Sequence, residues 1–130
     1  MNENGVQRVS SASPFERRFG FSRAVRSGQR VTVSGTAPIW PDGSCDSDAG
    51  AQARRCLQII EEALGEIGVE LGSVVRTRMF IVDSADSDAV GEVHGEVFGE
   101  IAPAATMVVV AGLLDSRWKV EIEAEAQLPG

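Results

Sequence analysis

Residues 101–125 read I-A-P-A-A-T-M-V-V-V-A-G-L-L-D-S-R-W-K-V-E-I-E-A-E. Two apolar runs, 106–111 and 120–124, flank a polar turn around Asp115 and Ser116, which predicts two strands joined as a hairpin. The second run alternates. Lys119, Glu121, Glu123 and Glu125 fall on one face, with Val120, Ile122, Ala124 and Ala126 on the other, because successive side chains of a strand point to opposite sides.

Outward from this stretch, residues 89–98 predict a helix with Val90, Val93, His94, Val97 and Phe98 on one face, closed by Gly99. A polar loop over 83–88 separates it from a strand at 74–82. A longer helix runs to about Ile67, with Asp46, Ser47 or Asp48 as N-cap and Gly68 as its stop. Ala53, Cys56, Leu57, Ile60, Leu64 and Ile67 form its apolar stripe. Pro41, Asp42, Gly43 and Ser44 mark residues 38–48 as a loop. Strands at 19–25 and 31–35 turn at Ser27-Gly28-Gln29, and residues 1–13 form an arm with one short strand near Val6 and Val9. The whole, 1–130, is one domain.

The order β-β-α-β-α-β-β predicts an α+β fold with a single mixed β-sheet and two helices packed on one face. Val108, Val109 and Val110 in succession ask for burial on both sides of the sheet. An oligomer that packs sheets against one another meets that need.

Composition narrows the function classes. Twelve Lys and Arg against nineteen Asp and Glu give a net charge of −7, a balance that repels phosphate backbones, so no nucleic-acid partner is expected. No apolar run is long enough to span a membrane. The first ten residues lack the basic, apolar, small-residue order of a signal peptide. Cys45 and Cys56 stand eleven apart without a C-x-x-C pattern. Two free thiols in a cytoplasmic protein are therefore expected, with no metal site and no cofactor.

Six segments at ordered spacing carry a resemblance. They are F-S-R-A-V from Phe21, V-S-G-T-A-P from Val33, V-V-R-T-R-M-F-I-V-D from Val74, E-V-H-G-E-V-F-G from Glu92, P-A-A-T-M-V-V-V from Pro103 and V-E-I-E-A-E from Val120. Together, over about 21–125, they resemble the Rid family, also called YjgF or endoribonuclease L-PSP: small trimeric imine and enamine deaminases. The resemblance implies a chorismate-mutase-like fold, a homotrimeric barrel and small-molecule clefts between subunits. In the family an arginine grips the substrate carboxylate, as a guanidinium fork suits, and a glutamate orients the hydrolytic water. Glu121 takes the glutamate's position as catalytic residue, and Ser34 and Gly35 that of the ligand-holding backbone. Phe21 replaces a tyrosine. Thr106 and Met107 follow the arginine's position, but Ala105 stands where the family's P-x-R-[ST] motif has its arginine. Standard 2-iminobutanoate/2-iminopropanoate deamination is accordingly expected to be weak or absent.

Arg23, two residues from Phe21, is the candidate to replace the missing anion contact; the plainer reading makes it a surface cation paired with an acid. His94 reads as a packed structural histidine. Two functions compete: a hydrolase of an imine, enamine or related carbonyl metabolite with a rebuilt anion site, and a non-catalytic binder of a small metabolite in the same cleft. Ribonuclease activity fits least, since the chain is acidic and has one histidine where acid–base cleavage wants a pair.

Overall fold

The computed structural model describes residues 5–11 and 13–130. Nine principal elements follow in order: β1 (Val6–Val9), α1 (Pro14–Phe19), β2 (Ala24–Ser27), β3 (Arg30–Thr36), α2 (Ala49–Glu66), β4 (Val74–Ile81), α3 (Ser87–Phe98), β5 (Ala104–Val109) and β6 (Val120–Gln127). The strands form one six-stranded sheet, β1-β2-β3-β6-β4-β5. Every neighbouring pair is antiparallel except β4 and β5, which makes the sheet mixed. No helix among the described residues is long and apolar enough to cross a membrane.

One face of the sheet is covered. Val31, Val33, Met79, Ile81, Val120, Ile122, Ala124 and Ala126 are buried together with Ala53, Cys56, Leu57, Ile60 and Leu64 of α2 and Val90, Val93 and Phe98 of α3. The alternate residues on β6 (Glu121, Glu123 and Glu125) are only half-buried, as expected for a strand with one face on a core. Asp48 is the N-cap of α2, accepting a hydrogen bond from the Ala51 amide at 2.9 Å, and Gly68 follows the helix with φ 70°.

The hairpin expected from 106–111 and 120–124 does not form. β5 pairs in parallel with the outer edge of β4, while β6 is inserted between β3 and β4. The cause is α3: a helix between β4 and β5 is the crossover that a parallel pair requires. The run 110–119 then carries the chain past β4 to the slot on its other side. The alternation had identified the strands but not their partners.

The N-terminal region also differs. The strand expected over 19–25 begins only at Ala24, and a helix precedes it. Ser13 caps α1 by accepting from the Phe15 amide, Pro14 opens it, and Gly20 ends it at φ 78°, a combination of start and stop signals at the positions where they act. Phe21 and Arg23 therefore lie on the connection into β2 and share no strand face. Of the expected arm over 1–13, residues 1–4 and 12 lie outside the described residues; Val6–Val9 is a strand paired with β2.

Gln52 holds the long connection to β6 in place. Fully buried in α2, its amide donates to the Asp46 and Arg117 carbonyls at 2.7 and 3.0 Å and accepts from the Lys119 amide at 2.7 Å. Gln52→Leu leaves three backbone groups without partners. The variant is expected to lose at least about 1–3 kcal/mol in denaturant unfolding, the cost of one stranded buried polar group; a loss within about 0.5 kcal/mol, the range of a neutral surface change, contradicts this role.

Candidate functional site

The entry to β2, the end of β3 and the start of β6 meet α1 at a small cleft of about 50 Å3, open to solvent on one side. Phe15, Phe21, Ile39, Ile59, Leu114 and Trp118 make its apolar walls, and Ser11, Ser13, Arg23, Gly35, Thr36 and Glu121 supply polar groups.

Gly35 explains how β3 and β6 approach one another here. The register between the two strands shifts between Val33 and Thr36, so Ser34 and Gly35 form a bulge, a feature that re-aims backbone next to sites. A methyl group on Gly35 would come within 3.3 Å of the Glu121 carboxyl carbon and Oε2. The glycine therefore leaves room for the carboxylate against its backbone.

Arg23 anchors the floor. Its Nε donates to Glu16 Oε2 at 3.1 Å, and its Nη1 donates to the Gly35 carbonyl at 2.6 Å and to Thr36 Oγ1 at 3.1 Å. Glu16 also accepts from the Ser11 amide at 2.8 Å and from the Ser11 hydroxyl. Arg23 and Glu16 side chains are 5% and 6% exposed, so the guanidinium is not the surface cation of the plainer reading. Breaking a buried pair of this kind strands the other charge, at about 3–5 kcal/mol.

Glu121 is different. Half-buried, it makes no hydrogen bond or salt bridge among the described residues. Burial pushes its carboxyl up from the ordinary glutamate value, the Arg23 charge pulls it down, and Glu123 pushes it up again; the net rise is the direction burial dictates. Trp118, at the apolar wall, buries an Nε1–H without an acceptor among the described residues and meets the Phe15 ring edge-on at 5.9 Å.

Of the residues singled out in the sequence, Phe21, Arg23, Gly35 and Glu121 line this cleft. Ser34 turns its hydroxyl to the Ser22 carbonyl at 2.7 Å and faces a shallow depression beside it. Ala105, Thr106 and Met107 do not converge with Glu121 in one chain. Ala105 pairs with Thr77 and Glu121 with Phe80, and positions three apart on β4 point to opposite faces. Without a hairpin between β5 and β6, Ala105 and Glu121 thus lie on opposite faces of the sheet. Thr106 meets Arg76 at 3.5 Å, and Met107 packs against the core.

His94 accepts or donates a hydrogen bond with Thr77 Oγ1 at 2.8 Å and lies 4.8 Å from the Phe98 ring, with burial lowering its pKa. It is a packed histidine, away from the cleft lining. Among the described residues, no three His, Cys, Asp or Glu side chains group as metal ligands. Sequence reasoning missed Glu16, Gln52 and Trp118. The S-P-F-E-R-R-F-G run signalled the helix that carries Glu16, whereas the partners of Gln52 are 65 and 67 residues away and left no local trace.

The endoribonuclease L-PSP family model matches residues 12–128. A crystal structure of a Mycobacterium tuberculosis member of the YjgF/YER057c/UK114 family superposes with a TM-score of 0.87 at 44% identity, over 95% of this chain and 99% of that one. An uncharacterised protein of Streptomyces coelicolor is 42% identical over 97% of this chain and 95% of its own. The 2-iminobutanoate/2-iminopropanoate deaminase of Salmonella typhimurium is 33% identical over 82% of this chain and 85% of its own.

Proposed function

Because the chain belongs to the endoribonuclease L-PSP family, the Rid or YjgF proteins, we propose that it hydrolyses a small imine, enamine or related carbonyl metabolite in the Glu121 cleft. The observation that carries this reading is the state of Glu121: a half-buried carboxylate with a raised pKa and no hydrogen-bond partner among the described residues, lining a mostly apolar cleft. A general base works best when its pKa approaches the working pH, and burial moves Glu121 that way.

In the reaction, an enamine first tautomerises to its imine. Glu121 takes a proton from water as the oxygen bonds to the carbon of the protonated imine, giving a neutral carbinolamine. Glu121 returns that proton to the nitrogen, and as the C–N bond breaks it takes the hydroxyl proton, leaving the carbonyl compound and ammonia. Gly35 keeps the carboxylate close to the bulge, and Phe21 and Trp118 exclude bulk water. The phenol hydroxyl of the family's tyrosine is missing at Phe21, and the guanidinium is missing at Ala105; these two departures favour a second reading, a trimer that binds a metabolite without turning it over.

Ammonia release from imines and enamines generated in situ, both with and without a carboxylate group, separates the two. Turnover by the wild type, reduced roughly a hundredfold or more in Glu121→Ala, is the expected result. Binding without release from any of them supports the second reading instead.

We also propose a homotrimer. β5 is an edge strand that leaves Val108 41% and Val109 56% exposed, a combination that invites pairing with another chain. Light scattering should give three times the 13.8 kDa chain mass, and Val108→Asp should dissociate the assembly. A stable 13.8 kDa monomer at micromolar concentration contradicts this.

A further inference from the structure

The charges around the cleft do not balance. Glu16 and Arg23 cancel one another within a buried pair. The Arg23 Nε and Nη1 are already committed to Glu16, Gly35 and Thr36, which leaves Nη2 without a hydrogen-bond partner among the described residues. Glu121 feels the Arg23 charge but forms no ion pair among the described residues, whereas Glu123, beyond it on the same face of β6, is paired with Arg78 at 3.1 Å. Phe15, Phe21 and Trp118 line the same cleft, with the Arg23 guanidinium 5.6 Å from the Phe21 ring centroid.

A half-desolvated carboxylate in a cleft walled by apolar side chains attracts an organic cation. The carboxylate supplies a charge-assisted hydrogen bond, and the apolar walls take the cation's hydrocarbon part out of water. An incoming carboxylate meets the reverse: like-charge repulsion from Glu121 and a guanidinium whose charge is offset by Glu16 and whose Nε and Nη1 already have acceptors. Ala105, where the family has its arginine, offers no cation to a neighbouring subunit's cleft either.

We infer that the cleft selects small organic cations, namely protonated imines and amines that carry an apolar group and no carboxylate. The inference rests on the hydrolase reading of the same cleft and narrows its substrate from imino acids to iminium ions of simple aldehydes and ketones. The chemistry balances: an iminium ion and water give the carbonyl compound and an ammonium ion. Glu121 pairs with the positive nitrogen in the ground state. It takes the proton of the attacking water and hands it to the departing nitrogen.

The test uses three probes of one shape and different charge, n-butylammonium, n-butanol and n-butanoate, titrated calorimetrically into the full-length protein near neutral pH. Butylammonium should bind roughly tenfold or more tightly than butanol, the value of one charge-assisted hydrogen bond, and butanoate should bind most weakly. In Glu121→Gln, a near-isosteric change, the preference for the cation over the alcohol should disappear. The wild-type series stands even if that variant misfolds. Preference for butanoate, equal affinity for all three, binding of none, or a cation preference that survives Glu121→Gln each overturns the inference. The hydrolase reading fails separately. Cation preference with no ammonia released from any imine removes the hydrolase and keeps this inference, whereas turnover of imino acids inhibited by butanoate keeps the hydrolase and removes this inference.

Discussion

The buried ion pair of Arg23 and Glu16 is the interaction on which the site's architecture depends. Taking two charges out of water is costly, and the cost is offset only where each finds further partners. Both do so. Ser11 completes Glu16, and the Gly35 carbonyl and Thr36 hydroxyl complete Arg23. One cluster thereby ties α1, the entry to β2 and the bulge of β3 into a single wall. It also shapes the electrostatics of the cleft, because the Glu16 carboxylate offsets part of the charge that Arg23 sets against Glu121.

From that wall the rest of the site follows by geometry. The bulge brings the Gly35 backbone against the Glu121 carboxyl group, and β6 presents Glu121 there because Val120 and Ile122 on either side are fully buried. Gln52, one turn into α2, fixes the last residues before β6. The helix-covered core thus positions a carboxylate on the opposite face of the sheet. The edge strand β5 lies beyond β4 and belongs to a different surface, which is why Ala105 reaches a cleft only if another copy of the chain supplies it.

Periodicity made the covered face of the sheet and both long helices legible in the sequence. Val120, Ile122, Ala124 and Ala126 point inward, as their alternation indicated, and the stripe from Ala53 to Ile67 is buried. Pairing was less legible. An apolar run such as 106–111 states that a strand forms, not which edge it joins, and the helix between β4 and β5 was the clue to a parallel pair. Around Phe19 the cap residues Ser13, Pro14 and Gly20 argued for a helix where apolar content had argued for a strand. In the site, Phe21, Gly35 and Glu121 were legible through the family resemblance. The burial of Arg23 was not, since its partner lies seven residues back on a helix the strand reading had erased.

The central claim, that Glu16 offsets the Arg23 charge and leaves Glu121 only weakly compensated, is tested most directly by titrating the Glu121 side-chain carboxyl by 13C NMR in the wild type and in Glu16→Gln. The account predicts a pKa above the ordinary glutamate value in the wild type. It predicts a fall in Glu16→Gln, where the Arg23 charge acts on Glu121 without the opposing Glu16 carboxylate. A wild-type Glu121 that titrates at or below the ordinary value, and does not move in Glu16→Gln, contradicts it.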